Sequence, residues 1–216
     1  MTPRRSFIES KQRGAERLHN ARAEVAAVES VMRKEAEYIR GVVGDGRARA
    51  VVAFNLFQTP PDLARRMVSM GPSRPRSILE PSAGLGRIYR AVREVHPSAP
   101  VTLVDSSADC CGELYRATEG DADAMILQRD FLEVEPVELY DFIAMNPPFK
   151  QGRDIKHIEH ARAMLAPGGV LVALCYDGVR QRARLEPVAQ SWEPLGPGAF
   201  KSEGTNAAAV LLTIEG

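Results

Sequence analysis

From Pro60 onward, short apolar runs alternate with segments of helical period, and this alternation is what most restricts the fold. Helices are expected at 61–70, 87–95, 108–117 and 154–165, and strands at 77–79, 101–104, 125–128, 141–145, 170–174 and 207–214. Pro61 suits a first helical turn, because its φ is already helical and a first-turn N–H has no partner to lose. Pro167-Gly168-Gly169 reads as the stop after the last helix. Strands separated by helices pair in parallel and need helices on both faces. The fold class is therefore α/β, a Rossmann-like and mostly parallel sheet.

Residues 6–40 follow a different rule. Leu18, Val25, Val28, Met32 and Ile39 recur at helical spacing among charged residues, and Gly41 with Gly44-Asp45-Gly46 ends the pattern. The expected organisation is an N-terminal helical extension over 1–50 and a main domain over 51–216. The stripe on the extension suits a homodimer contact, the docking of a partner or packing across the domain.

Composition excludes several classes. No run of eighteen apolar residues occurs, so no membrane-spanning helix is expected. The N-terminus lacks the apolar stretch of a secretory signal. Cys110, Cys111 and Cys175 make an odd set with two neighbours, which suits reduced, buried thiols in a cytoplasmic protein rather than a disulfide framework. Neither they nor His19, His96, His157 and His160 show metal-ligand spacing, and no metal is expected. The zero net charge is uneven: residues 1–100 hold 18 Lys/Arg against 10 Asp/Glu, and residues 101–150 hold 3 against 11. A basic first half suits a polyanion partner or a solvated surface.

In parallel sheets ligands bind beyond the carboxyl ends of the strands. Four consecutive strand ends carry unusual residues: Glu80-Pro81-Ser82-Ala83-Gly84-Leu85-Gly86, then Asp105-Ser106, then Asp130-Phe131, then Asn146-Pro147-Pro148-Phe149. Gly84 and Gly86 permit a tight turn that a ligand can approach closely. The third glycine of a dinucleotide fingerprint is replaced by Tyr89, and no phosphate-binding GxxxxGK[ST] loop occurs. Asp105 can accept both hydroxyls of a ribose, or it and Ser106 can cap the next helix. Asp130 beside Phe131 suits an adenine amine and ring, or a turn Asp followed by a core Phe.

The fourth cluster is the most restrictive. Two prolines fix the backbone just past a strand, aiming the Asn146 side-chain oxygen and the Pro147 carbonyl at one point. Two converging acceptors can bind the two hydrogens of an amino group and stabilise positive charge developing on its nitrogen. Phe149 can stack on a planar base. The alternative is a proline-rich turn that merely ends the strand. A cytosine-carbon mechanism needs a nucleophilic Cys, and this stretch has none.

These residues resemble the class I S-adenosylmethionine-dependent amino-methyltransferases with an Asn/Asp-Pro-Pro-aromatic motif. The resemblance covers about residues 54–214 and implies a seven-stranded sheet with S-adenosylmethionine as cofactor. It assigns Asn146, Pro147, Pro148 and Phe149 to catalysis. Cofactor binding falls to Glu80, Pro81, Ala83, Gly84, Gly86, Asp105, Ser106, Asp130, Phe131 and Asn146. Phe57-Gln58-Thr59-Pro60 is similar to the motif that precedes the fold in adenine methyltransferases and touches the methionine part of the cofactor. That order is the one of gamma-type DNA adenine methyltransferases, so DNA is the implied nucleic-acid partner, with RNA adenine or a protein glutamine as alternative acceptors and a non-catalytic scaffold as another. Glu80 stands where Asp or Asn is usual, and its longer carboxylate can still serve the methionine ammonium. The segment Asn146 to Gly169 and the tail Phe200-Lys201-Ser202-Glu203-Gly204-Thr205 are similar to small phage and bacterial DNA-methylase-like proteins. Gamma-type enzymes carry a recognition domain after the closing strand, where this sequence stops. Substrate contacts are therefore expected from loops at 150–156 and 176–184 and from the basic N-terminal helix. Arg180, Arg182 and Arg184 suit phosphates or a solvated helix face.

Overall fold

The computed structural model describes residues 58–196, 198–200 and 208–216. The extension at 1–50 with its expected helix and homodimer contact, Phe57, and residues 201–205 of the tail lie outside the described residues.

The described chain runs α1 (Pro61–Ser69), β1 (Ile78–Glu80), α2 (Arg87–Val95), β2 (Val101–Asp105), α3 (Ala108–Ala117), β3 (Ala124–Gln128) and β4 (Tyr140–Met145). It continues through α4 (Arg153–Arg162), β5 (Leu165–Tyr176), α5 (Val179–Leu185), β6 (Ser191–Leu195) and β7 (Ala209–Glu215). The sheet has seven strands in the order β3-β2-β1-β4-β5-β7-β6. β7 is antiparallel to both neighbours and the remaining pairs are parallel. The chain winds outward from β1 in one direction and from β4 in the other, so the switch point lies between these two strands.

Both faces of the sheet are covered. Met67, Val68, Ile88, Val92, Leu114 and Phe200 form one apolar layer with Phe142 and Leu174 of the sheet. Ile155, Ile158, Leu185 and Phe131 form the other with Ile143, Met145 and Leu171. Central strands buried on both sides explain the unbroken apolar runs at 142–145 and 170–175.

Two helices begin and end where the sequence pattern places them, because each has a local start signal. Gly86, at φ +71°, opens α2, and the Ser107 side chain caps α3 by accepting from the Cys110 amide at 3.3 Å. β1 begins one residue later than expected and includes Glu80. The expected helix at 154–165 is corrected: α4 ends at Arg162, and Leu165 already pairs with Tyr140. Pro167-Gly168-Gly169 is a bulge inside one long β5, since pairing resumes at Phe142 with Val170. Gly168 takes φ +75°, and a β-carbon on Gly169 would lie 2.9 Å from the carbonyl oxygens of Ala166 and Tyr140. The expected loop at 176–184 is also corrected, because it contains α5. β6 was not anticipated: Pro194 weakens it as a strand signal, and the structure tolerates Pro there because β6 is an edge strand.

Candidate functional site

A cavity of about 450 Å³ opens at the carboxyl ends of β1 to β4, across the switch point. Its lining includes Gln58, Thr59, Glu80, Pro81, Ala83, Gly84, Asp105, Ser106, Asp130, Phe131 and the whole of Asn146 to Phe149. Four strand-end clusters thus meet in one cleft. Gly86 does not line it; its φ of +71° and the 3.1 Å from a would-be β-carbon to Leu114 Cδ2 give it a packing role at the start of α2. Pro60 is likewise outside the lining and caps the start of α1.

Asp105 organises the glycine turn. Its Oδ2 accepts from the Gly84 amide and its Oδ1 from the Ser107 amide, each at 2.8 Å. Gly84 reaches this position at φ +52°. The Ala83 amide donates to the Val104 carbonyl at 3.0 Å, tying the same turn to β2. Capping of α3 falls to Ser107, so Asp105 is not the helix cap. Each carboxylate oxygen keeps a further lone pair for a ligand. Burial raises the Asp105 pKa, against the pull of the Ser107, Gly84 and Ser106 amides.

Glu80 is 1% exposed, and its Oε2 is buried with no hydrogen-bond partner among the described residues. Burial pushes its carboxyl well above the usual range. An orphaned carboxylate oxygen on a cleft wall fits a cationic amine, whose charge and hydrogens would remove both penalties.

On the other side, the Asn146 amide is oriented by the segment ahead of α1. Its Nδ2 donates to Thr59 Oγ1 at 3.1 Å, and Thr59 is itself 3% exposed. Gln58 is fixed in turn by Arg87, whose Nε donates to Gln58 Oε1 at 2.7 Å. The peptide bonds of the described chain are all trans, and Pro147 is buried. After Phe149 the backbone reverses through Gln151 and Gly152, at φ +58° and +71°. A left-handed non-glycine residue beside a cleft is strain of the kind that persists where surrounding structure enforces it.

The third strand end is more enclosed than the sequence suggests. Asp130 caps a 3₁₀ turn through the Leu132 amide and receives two contacts from Arg153 Nη2, at 2.7 and 2.9 Å. Burial raises the Asp130 pKa, but Arg153 and the Leu132 amide bring it below its ordinary value. The Phe131 ring is 2% exposed and packs against His157 and His160, with centroids 5.5 and 4.9 Å apart. Phe131 therefore combines a core position with an edge on the cleft.

Arg153 and His157 line the cleft and were not among the expected site residues. Their spacing of four on α4 places them on one helix face. The hydrogen bonds fix the histidine tautomer. Ser82 donates its hydroxyl proton to the Pro81 carbonyl at 2.8 Å, so it can only accept from His157 Nδ1 at 3.3 Å. Nε2 is then left to accept from Arg153 at 3.4 Å. Burial, reinforced by the Arg153 charge, lowers the His157 pKa to about 4.

The unfolded chain therefore holds the extra proton between pH 6.5 and about 4, and folding loses stability as the pH falls through that window. The expected loss is on the order of 3 kcal/mol. Urea unfolding followed from pH 7 to pH 4 should fall less steeply for His157→Asn than for the wild type, and parallel curves would contradict the assignment.

All three cysteines are buried, and no disulfide joins them. Cys110 lines the cleft, but burial pushes its thiol up to about 11, so it stays protonated near neutrality. Among the described residues no helix is long and apolar enough to cross a membrane, and no group of three or more His, Cys, Asp or Glu is placed to hold a metal ion.

The sequence model of the methyltransferase small domain matches residues 63–195. Ribosomal RNA large subunit methyltransferase G of Pseudomonas syringae pv. syringae is 35% identical over 85 residues, which is 35% of this chain and 23% of that protein. TrmN from Thermus thermophilus superposes with a TM-score of 0.60 at 21% identity, over 72% of this chain and 48% of its own. The N-methyltransferase NodS from Bradyrhizobium japonicum, solved with S-adenosyl-l-homocysteine, superposes with a TM-score of 0.54 at 18% identity, over 72% and 84%. The chain spans under a quarter of the curated relative and about half of TrmN.

Proposed function

The chain belongs to the methyltransferase small domain family, and from that premise we propose that it methylates the exocyclic amino nitrogen of a base in nucleic acid. The cofactor is S-adenosylmethionine, which supplies an activated methyl group on sulfur. The residues present fit it: Asp105 for the ribose hydroxyls, the Gly84 turn for close backbone approach, and the orphaned Glu80 oxygen for the methionine ammonium. Asp130 and Phe131 would border the adenine.

The observation that carries the acceptor assignment is the bond from Asn146 Nδ2 to Thr59 Oγ1. With its NH2 end held there, Asn146 presents its oxygen as an acceptor, next in sequence to the carbonyl of Pro147, whose φ is set by its own ring and whose ψ is restricted by Pro148. Two acceptors suit an incoming NH2 group. They would hold its lone pair in line for transfer and stabilise the charge that builds on nitrogen. Thr59, expected from the sequence as a cofactor contact, acquires a second role as the residue that orients Asn146.

Replacing Thr59 with Val removes the acceptor at nearly constant volume. We expect methyl transfer to fall about tenfold, the value of one hydrogen bond to a positioned group, with recovery in Thr59→Ser. Equal rates in the Val and Ser variants would remove Thr59 from this role.

RNA as the substrate is supported by the named activity of the curated relative, the ribosomal RNA methyltransferase. Adenine in DNA is favoured by a different observation: Gln58 and Thr59 precede the glycine turn and share its cleft, the order of the gamma-type enzymes. Incubation with methyl-labelled cofactor and separate RNA, DNA and protein pools distinguishes them. Label in nucleic acid supports the proposal, and label confined to protein would transfer it to an amide nitrogen such as that of glutamine. Failure to bind the cofactor by calorimetry would leave a scaffold.

A further inference from the structure

The structure separates the arginines that the sequence leaves equivalent. Arg182 pairs with Asp177 at 2.7 Å and Arg184 with Glu159 at 2.6 Å. Arg180 makes no ion pair with any described residue. Its guanidinium instead reaches toward the loop after the proline pair, with Nη1 3.9 Å from where a β-carbon on Gly152 would sit. On the same ledge Tyr176 is 43% exposed and Val179 is 86% exposed, more than any other large apolar residue described.

This ledge is bolted to the loop that carries Asn146. Asp154, in the first turn of α4, is fully buried. Its carboxylate accepts from the Tyr176 amide at 3.0 Å and from Gln181 Nε2 at 3.0 and 3.2 Å. A buried carboxylate is costly unless its oxygens are occupied, and here their partners lie at the end of β5 and on α5. Tyr176 and α5 are thereby held in fixed register with the turn that follows Phe149.

Position and charge indicate what the ledge meets. β5 flanks β4 on the side away from β1, β2 and β3, so the ledge and the cofactor cradle stand on opposite sides of Asn146. Asp177 is paired with Arg182 and Asp154 is buried, which leaves Arg180 as a positive charge without an ion pair among the described residues, four positions along the chain from the exposed ring of Tyr176. A stacking surface with an adjacent guanidinium matches a nucleic-acid strand.

We propose that Tyr176, Val179 and Arg180 form the docking ledge for the strand that flanks the target base, an inference that rests on the function proposed above. Tyr176 stacks on a neighbouring base, Val179 packs against the gap left by the withdrawn base, and Arg180 holds a phosphate.

The test measures methyl transfer to nucleic acid by the full chain across salt concentrations, with cofactor affinity followed by calorimetry. Tyr176→Ala and Arg180→Ala should each raise the KM for nucleic acid about tenfold. Arg180→Ala alone should reduce the logarithmic salt slope by about 1, and Arg180→Glu should weaken binding beyond the Ala variant. Cofactor affinity should hold in all three. A wild type that methylates nucleic acid, with variants matching its KM and salt slope, would overturn the ledge and leave the function standing. An Arg180→Glu variant no worse than Arg180→Ala would overturn the phosphate contact. A wild type that labels no nucleic acid at all would overturn the function and the ledge with it.

Discussion

Replacing Asn146 with Ala should lower methyl transfer by about 10²–10³-fold while cofactor affinity stays close to wild type. The loss is large because, on the proposed function, the Asn146 oxygen is one of two acceptors for the amino group, and charge on that nitrogen grows only as the methyl moves. An interaction that strengthens toward the transition state acts on kcat rather than on ground-state binding. The fold should tolerate the change, since Asn146 is only part-buried and its neighbours Met145 and Pro147 carry the packing. Asn146→Asp separates shape from charge: it keeps an acceptor toward the substrate, and its added negative charge meets the Thr59 oxygen where an NH2 now donates. Stopped-flow transfer rates and calorimetric cofactor titration on both variants check the expectation. An Asn146→Ala enzyme with wild-type turnover would remove the mechanism.

The second large effect belongs to Asp105. Asp105→Ala should weaken cofactor binding by about 100-fold, since it deletes the proposed ribose acceptor and strands the Gly84 and Ser107 amides that now end on its two oxygens. The glycine turn loses the anchor that holds Gly84 at φ +52°, so the cradle loosens as well as losing a ligand contact. Asp105→Asn retains one acceptor oxygen and should fall between the two. Calorimetry with S-adenosylhomocysteine measures the series, and wild-type affinity in Asp105→Ala would displace the cradle from this cleft.

Much of the cleft lining could be read from the chain because its pieces sit at the ends of four consecutive strands, which a parallel sheet brings together. The boundaries of α2 and α3 followed from Gly86 and Ser107, caps that act within a turn of themselves. The bulge in β5 was hidden because Pro167-Gly168-Gly169 is equally good as a stop, and only the pairing of Leu165 with Tyr140 distinguishes the two. The bounds of α5 are not legible in the sequence because a helix of about two turns that buries only Gln181 and Leu185 leaves almost no apolar period. The contact from Asn146 to Thr59 spans 87 residues and exists only after the sheet has closed. Arg153 and His157 were overlooked for the same reason: on α4 they read as ordinary charged-face residues until Asp130 and Ser82 arrive from elsewhere in the chain.

The most direct measurement is nucleoside mass spectrometry of nucleic acid incubated with the protein and methyl-labelled S-adenosylmethionine. The proposed pair of carbonyl-type acceptors at the end of β4 predicts label on an exocyclic amino nitrogen, absent when Asn146 is Ala. Label on a ring carbon or a ribose oxygen, or label that survives the loss of Asn146, would contradict it.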